Sequence, residues 1–137
     1  MITPDRRVVI LDFGLASDQA PGGVGQTVVD EGISGTPQYM SPEQADSRPA
    51  APASDWYAFG GMLFEALTGR PPFDGSGRAV LYKKQQQDAP RSSSIKKEIP
   101  ADLEQLCLQL LHRDPDARPG LQQVIAVLGP ALRSEPP

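Results

Sequence analysis

The groups in this chain that could do chemistry are few: a carboxylate directly after an apolar run, a glycine-rich loop, one thiol and one imidazole. Asp12-Phe13-Gly14 follows the short β-branched run Val8-Val9-Ile10-Leu11, and alone the tripeptide reads as a strand end with a turn. The loop Gly22-Gly23-Val24-Gly25-Gln26-Thr27 invites a phosphate-cradling reading, in which backbone N–H groups and a lysine hold the anion. It fails that test: Ala20 stands where the first glycine is needed, Gln26 replaces the lysine, and no strand precedes it. A flexible linker is the expectation there. With a single cysteine, Cys107, and a single histidine, His112, neither a Cys/His nucleophile pair nor a zinc cluster has support. Cys107 reads as a core residue and His112 as a helix-end residue.

The elements that would position these groups are legible from the pattern. The chain has 137 residues, 39% apolar, with a net charge of −4. That suits one soluble globular domain and argues against a nucleic-acid footprint. The apolar run Tyr57–Phe64 is too short to span a bilayer, and no signal-peptide pattern opens the chain. The default address is cytoplasmic. Residues 1–16 read as a hairpin with a turn at Thr3-Pro4-Asp5-Arg6, and residues 17–35 as a loop. Ser41-Pro42-Glu43-Gln44 predicts a helix start with a capping box. The clearest helix runs from Ser54, as N-cap, to Leu67. It stops at Gly69, and its apolar residues lie on nearly every face, which predicts a central buried helix. A weaker, exposed helix is expected over 78–87 and a polar loop over 88–99. Helix 102–111 presents Leu103, Leu106, Cys107, Leu110 and Leu111 on one face. Leu121, Val124, Ile125 and Leu128 predict a last short helix, and residues 133–137 a frayed tail.

The motifs also fall in a telling order. Asp12-Phe13-Gly14 precedes Gly35-Thr36-Pro37-Gln38-Tyr39-Met40-Ser41-Pro42-Glu43, then Asp55-Trp56-Tyr57-Ala58-Phe59-Gly60 and Leu67-Thr68-Gly69-Arg70-Pro71-Pro72-Phe73. Last comes Arg113-Asp114-Pro115-Asp116-Ala117-Arg118-Pro119. Over about residues 3–129 the series resembles the C-terminal lobe of bacterial eukaryotic-like Ser/Thr protein kinases. The resemblance implies a mainly α fold: a kinase-like C-lobe with an N-terminal β-hairpin remnant, the N-lobe and catalytic loop being absent. It implies a partial kinase domain over residues 1–132 with an activation segment over 12–43.

Residue by residue, the resemblance implies the following roles. Asp12 matches the carboxylate that holds Mg²⁺ on the ATP phosphates, Phe13 the aromatic whose packing sets active and inactive states, and Gly14 the sharp turn beside them. Thr36 matches the hydroxyl that supports the catalytic loop, in a Gly-Thr-Pro context that looks like Ser/Thr rather than Tyr kinases. Glu43 matches the acid of the Ala-Pro-Glu motif, and Arg118 its late arginine partner. This pair is structural. Asp55 matches the acid of the central helix that accepts hydrogen bonds from the catalytic loop. Thr27 and Ser34 are candidate phosphosites in a stretch where Asp30 and Glu31 already supply negative charge.

A working kinase also needs a Gly-rich loop, a strand-borne Lys, a partnering Glu and a His-Arg-Asp catalytic loop with its Asn. None precedes Asp12, and no rearranged copy is expected downstream. The expectation is therefore a truncated kinase with negligible activity of its own, Met1 being an internal methionine of a longer protein. ATP and Mg²⁺ are implied for the complete kinase and are not expected to bind well to this chain alone. Alone, the chain is predicted to be partly ordered and prone to aggregate, because buried groups lose partners. A different reading is a non-catalytic module that binds a protein substrate, a kinase N-lobe or a full-length kinase, through helix 78–87 and the basic loop Arg91–Lys97. A gene remnant without function is a third.

Overall fold

The computed structural model of the protein describes residues 37–133. The expected hairpin, strand 8–11, loop 17–35 and residues Asp12, Phe13, Gly14, Thr27, Ser34 and Thr36 lie outside the described residues, as does the tail beyond 133. The described part is helical and, within it, no strand forms. Five helices follow one another: α1 (Pro42–Ala45), α2 (Pro52–Thr68), α3 (Arg78–Gln86), α4 (Ala101–Leu110) and α5 (Leu121–Arg133). Short 3₁₀ turns at Ser92–Ser94 and Pro115–Ala117 punctuate the connections.

Local chemistry explains most boundaries. Ser41 caps α1: its Oγ accepts the Gln44 N–H at 3.4 Å, and Gln44 Oε1 accepts the Ser41 N–H at 3.0 Å. This is the predicted reciprocal box, with Pro42 at the first helical position. Helix α2 begins two residues earlier than expected. Pro52 opens it, and Ser54 is not the N-cap but the third helical residue, whose Oγ accepts the Ala51 N–H at 3.2 Å. Gly69 stops α2 in the left-handed region, φ +81°, where its N–H reaches the Glu65 carbonyl at 2.8 Å.

The core forms where α2 lies against α4. Tyr57, Phe64, Cys107 and Leu111 make one cluster, and Leu106, Leu110 and Val124 a second, against which Trp56, Phe59, Val127 and Leu128 pack. Gly60 is the point of closest approach. A Cβ there would stand 2.7 Å from Leu110 Cβ, so only glycine lets the two helices meet at this distance. Cys107 lies in this seam and donates its thiol proton to the Gly60 carbonyl at 3.5 Å. Burial, and then the Glu104 carboxylate, push its pKa up to about 12, which makes it an inert core residue.

Two expected faces are corrected. Helix α2 is not buried all round, since Met62 is 51% exposed. On α5, Val124 is buried, but Leu121 and Ile125 are 55% and 50% exposed. The predicted stripe 121, 124, 125, 128 and the observed seam 124, 127, 128 share two positions. Packing against α4 selects the second. Helix α5 also runs through Pro130 to Arg133, which near its end costs one backbone hydrogen bond.

Candidate functional site

The densest polar chemistry in the described residues surrounds the stretch from Pro37 to Arg48. Glu43 sits in the short helix α1, and its carboxylate is buried. Arg118, on the strand-like residue after the Pro115–Ala117 turn, reaches it from 75 positions away in sequence. Nη1 donates to Glu43 Oε1 at 2.7 Å and Nη2 to Oε2 at 2.8 Å, a bidentate pair. The remaining donors of the guanidinium go to backbone carbonyls: Ala53 at 2.8 Å, His112 at 2.8 Å and Arg113 at 3.2 Å. All five N–H groups of Arg118 are thereby used, as a fully buried guanidinium requires. Ser54 adds a hydroxyl that donates to Glu43 Oε1 at 2.9 Å. Burial pushes the Glu43 carboxyl up. The hydrogen bonds from Arg118, the backbone and Ser54 more than offset that and hold its pKa down to about 2.

On the other side of the same stretch, α3 presents a buried lysine. Lys84 is 1% exposed, and its Nζ donates to the carbonyls of Pro37 at 2.7 Å, Gln38 at 2.6 Å and Met40 at 2.8 Å. Burial pushes its pKa down to about 7. The Tyr57 ring joins the two anchors: Arg118 Cζ stands 4.9 Å and Lys84 Nζ 5.5 Å from its centroid. Tyr39, between the Lys84-bound carbonyls of Gln38 and Met40, donates its hydroxyl to Glu65 Oε2 at 2.7 Å. That carboxylate, with burial, pushes the phenol pKa up.

The structure thus brings Glu43 and Arg118 together. Asp55 it leaves exposed on the first turn of α2. Two residues escaped the sequence reading. Ser54 read as a cap and is instead a partner of Glu43. Lys84 read as part of an exposed helix, whereas α3 buries Val80, Leu81 and Lys84. Their i, i+1, i+4 spacing was the available signal.

A further correction concerns the catalytic-loop signature. The tripeptide His112-Arg113-Asp114 does occur downstream, contrary to expectation. Its geometry is structural. Asp114 Oδ1 accepts the Asp116 N–H at 2.9 Å and caps the 3₁₀ turn, the His112 carbonyl accepts from Arg118, and Arg113 Nε pairs with Asp88 at 3.0 Å. Pro119 stands where the motif requires its metal-binding Asn.

Between α1, α3 and the Pro115–Ala117 turn lies a polar cleft of about 180 Å³, below the roughly 300–1,000 Å³ of small-molecule sites. Among the described residues no cluster of three His, Cys, Asp or Glu could hold a metal ion. No helix among them is long and apolar enough to cross a membrane.

Comparison with known proteins places this architecture. The protein kinase domain family matches residues 1–127. The chain is 38% identical over 120 residues to a Streptomyces coelicolor protein named "Probable serine/threonine-protein kinase", covering 86% of this chain and 18% of that one. It is 38% identical over 121 residues to serine/threonine-protein kinase PknB of Mycolicibacterium smegmatis, covering 86% and 19%. To serine/threonine-protein kinase PknL of Mycobacterium tuberculosis it is 35% identical over 119 residues, covering 86% and 29%. The chain therefore spans less than a third of the length of each of these relatives. With a mainly helical fold and a kinase-domain match over nearly all its residues, the chain belongs to the protein kinase domain family.

Proposed function

We propose that this chain is the C-lobe portion of a protein Ser/Thr kinase and that its described part is the platform on which the activation segment ends. The observation that carries this reading is the buried bidentate pair of Glu43 and Arg118, which ties Ser41-Pro42-Glu43 to the chain between α4 and α5. In this reading residues 12–43 are the activation segment and 1–132 a partial kinase domain. Thr36 supports the catalytic loop, and Asp55 accepts hydrogen bonds from that loop's backbone, for which its exposed place on α2 leaves it accessible. Phe13 and Gly14 shape the turn beside Asp12. Thr27 and Ser34 are the hydroxyls whose phosphorylation orders the loop.

Bound Mg²⁺-ATP supplies the phosphoryl group in the complete kinase. A carboxylate is the hard oxygen donor that Mg²⁺ takes, and Asp12 would provide one. The second protein ligand, the base and the phosphate-covering loop belong to parts with no counterpart among these 137 residues. Since transfer depends on positioning by all of them at once, the chain alone is inactive.

The experiment joins residues 8–137 to the N-lobe and catalytic loop of a kinase such as PknB. Phosphate incorporation into a protein substrate is then measured for the chimera and for the 137-residue chain. The chimera is expected to incorporate phosphate, Asp12→Asn to abolish this, and the chain alone to show none. A folded chimera without transfer defeats the reading. Transfer by the chain alone defeats the claim of inactivity.

A further inference from the structure

The kinase reading assigns no role to Lys84, and the structure surrounds that residue unusually. Its ammonium is buried, and no carboxylate lies within ion-pair distance of it among the described residues. Each of its three protons instead meets a backbone carbonyl, and all three carbonyls belong to one four-residue stretch, Pro37 to Met40. A buried charge without a counter-ion is costly unless dipoles replace its hydration. Here three carbonyl dipoles converge on it. The geometry is reciprocal: the backbone path of residues 37–40 makes the lysine's site, and the lysine gives those carbonyls their donor.

We propose that Lys84 is a positioning residue for the end of the activation segment, holding the backbone path of residues 37–40 through its protonated ammonium. The path of the stretch is therefore tied to one proton. A neutral amine has two N–H donors and a lone pair, so it serves at most two of the three carbonyls and turns electron density on the third.

Among the described residues, no charged or titratable group near Lys84 brings a negative charge to its Nζ. From α2, the Tyr57 ring lies 5.5 Å from Nζ, and burial first of all pushes its phenol pKa up, so it stays neutral. Arg118 faces the same ring, and its charge is matched by Glu43 of α1. Tyr39 turns its hydroxyl to Glu65. On α3 itself, Lys83 donates to the Asp74 carbonyl at 2.5 Å and Gln85 to Asp46 at 2.6 Å. None of these supplies a negative charge to Nζ. Burial pushes the Lys84 pKa down to about 7, and the carbonyls, which need the ammonium, oppose that push.

Calling residues 37–40 the end of an activation segment rests on the kinase reading; the tie itself does not. The test is therefore made without phosphoryl transfer, by NMR of the 137-residue chain across a pH series. Lys84 Cε is expected to titrate below the ordinary lysine value of about 10.4. The carbonyl carbons of Pro37, Gln38 and Met40 should shift with the same midpoint, while those of α4 stay still. Carbonyls that ignore the Lys84 midpoint overturn the proposal.

Lys84→Met gives a second reading. With the α4 and α5 resonances intact, the carbonyl titration should vanish and proteolytic cutting within 37–41 should rise about tenfold. A folded variant with an unchanged 37–40 stretch also overturns it. If the variant does not fold, the wild-type titration decides. A chain that passes this test while the chimera transfers no phosphate would lose the kinase reading and keep the tie.

Discussion

Two buried cations hold the same dozen residues, and they do so by different physics. Arg118 meets a carboxylate in a bidentate fork, spends its other three donors on carbonyls, and is joined by Ser54. Lys84 meets three carbonyls and, among the described residues, no carboxylate. The first anchor matches charge with charge, and its partner stays ionised down to about pH 2. The second matches charge with dipoles alone, so its proton is the weaker of the two. A planar guanidinium that cannot lose its proton suits the permanent joint. An ammonium suits a joint that can be released.

The largest effect should come from removing the stronger anchor. Arg118→Met strands the Glu43 carboxylate and leaves the carbonyls of Ala53, His112 and Arg113 without their donor, which is expected to cost about 3–5 kcal/mol. Denaturant unfolding of the variant against the wild type measures it. A loss below about 1 kcal/mol would mean that water reaches the pair and that the two anchors are alike. Lys84→Met removes a charge together with its burial cost, so its loss of stability should be clearly smaller in the same experiment.

Ser54→Ala comes next. It deletes the hydroxyl donor to Glu43 Oε1 and the acceptor of the Ala51 N–H. A hydrogen bond to a charged group is worth roughly 1.5–3 kcal/mol. In the Arg118→Met background the loss should differ from that in the wild type if both residues serve the same carboxylate, while the share owed to the Ala51 N–H persists, and a double-mutant cycle reads that coupling directly. Gly60→Ala tests the core that carries both anchors. Its new Cβ would meet Leu110 Cβ at 2.7 Å, a backbone-near atom that cannot swing away. Overpacking of this kind costs about 1–3 kcal/mol. Because it parts α2 from α4 and leaves both cations alone, it should lower thermal stability without changing the Lys84 titration.

What was legible in the sequence divides along the same line. The Ser41–Gln44 box, the Gly69 stop and the Leu106-Cys107-Leu110-Leu111 face are set by neighbours within four residues, and spacing alone finds them. The pairing of Glu43 with Arg118 was accessible only through the family pattern, since no local rule links positions 75 apart. Lys83 and Lys84 are chemically identical neighbours. The spacing from Val80 and Leu81 favours Lys84 as the inward one, but that its ammonium meets carbonyls more than forty positions away is a tertiary fact. The early start of α2 has a similar cause: Ser54 is drawn to a carboxylate on another helix. On α5, two overlapping apolar stripes competed, and only packing on α4 chose between them.

The most discriminating effect is in the pH dependence of stability, where the anchors act in separate windows. Glu43 has a folded pKa of about 2 against an ordinary value of 4.5. Its contribution is complete above pH 4.5 and is lost as pH falls through 2, because the unfolded chain takes up the proton first. Lys84 is also lowered, to about 7 from 10.5, but it is a cation. Between those values the unfolded chain again holds the proton that the folded chain has shed, so stability should rise with pH from about 7 towards 10. The fold as a whole thus gains over the range in which the 37–40 tie loosens: burial is relieved globally while three hydrogen bonds weaken locally. Unfolding free energies measured from pH 2 to 10 should show this rise above pH 7 in the wild type and lose it in Lys84→Met, with the acid limb below pH 4.5 unchanged. A flat wild-type profile above pH 7 would mean that the three carbonyls fully replace the lysine's lost hydration, making Lys84 as permanent an anchor as Arg118.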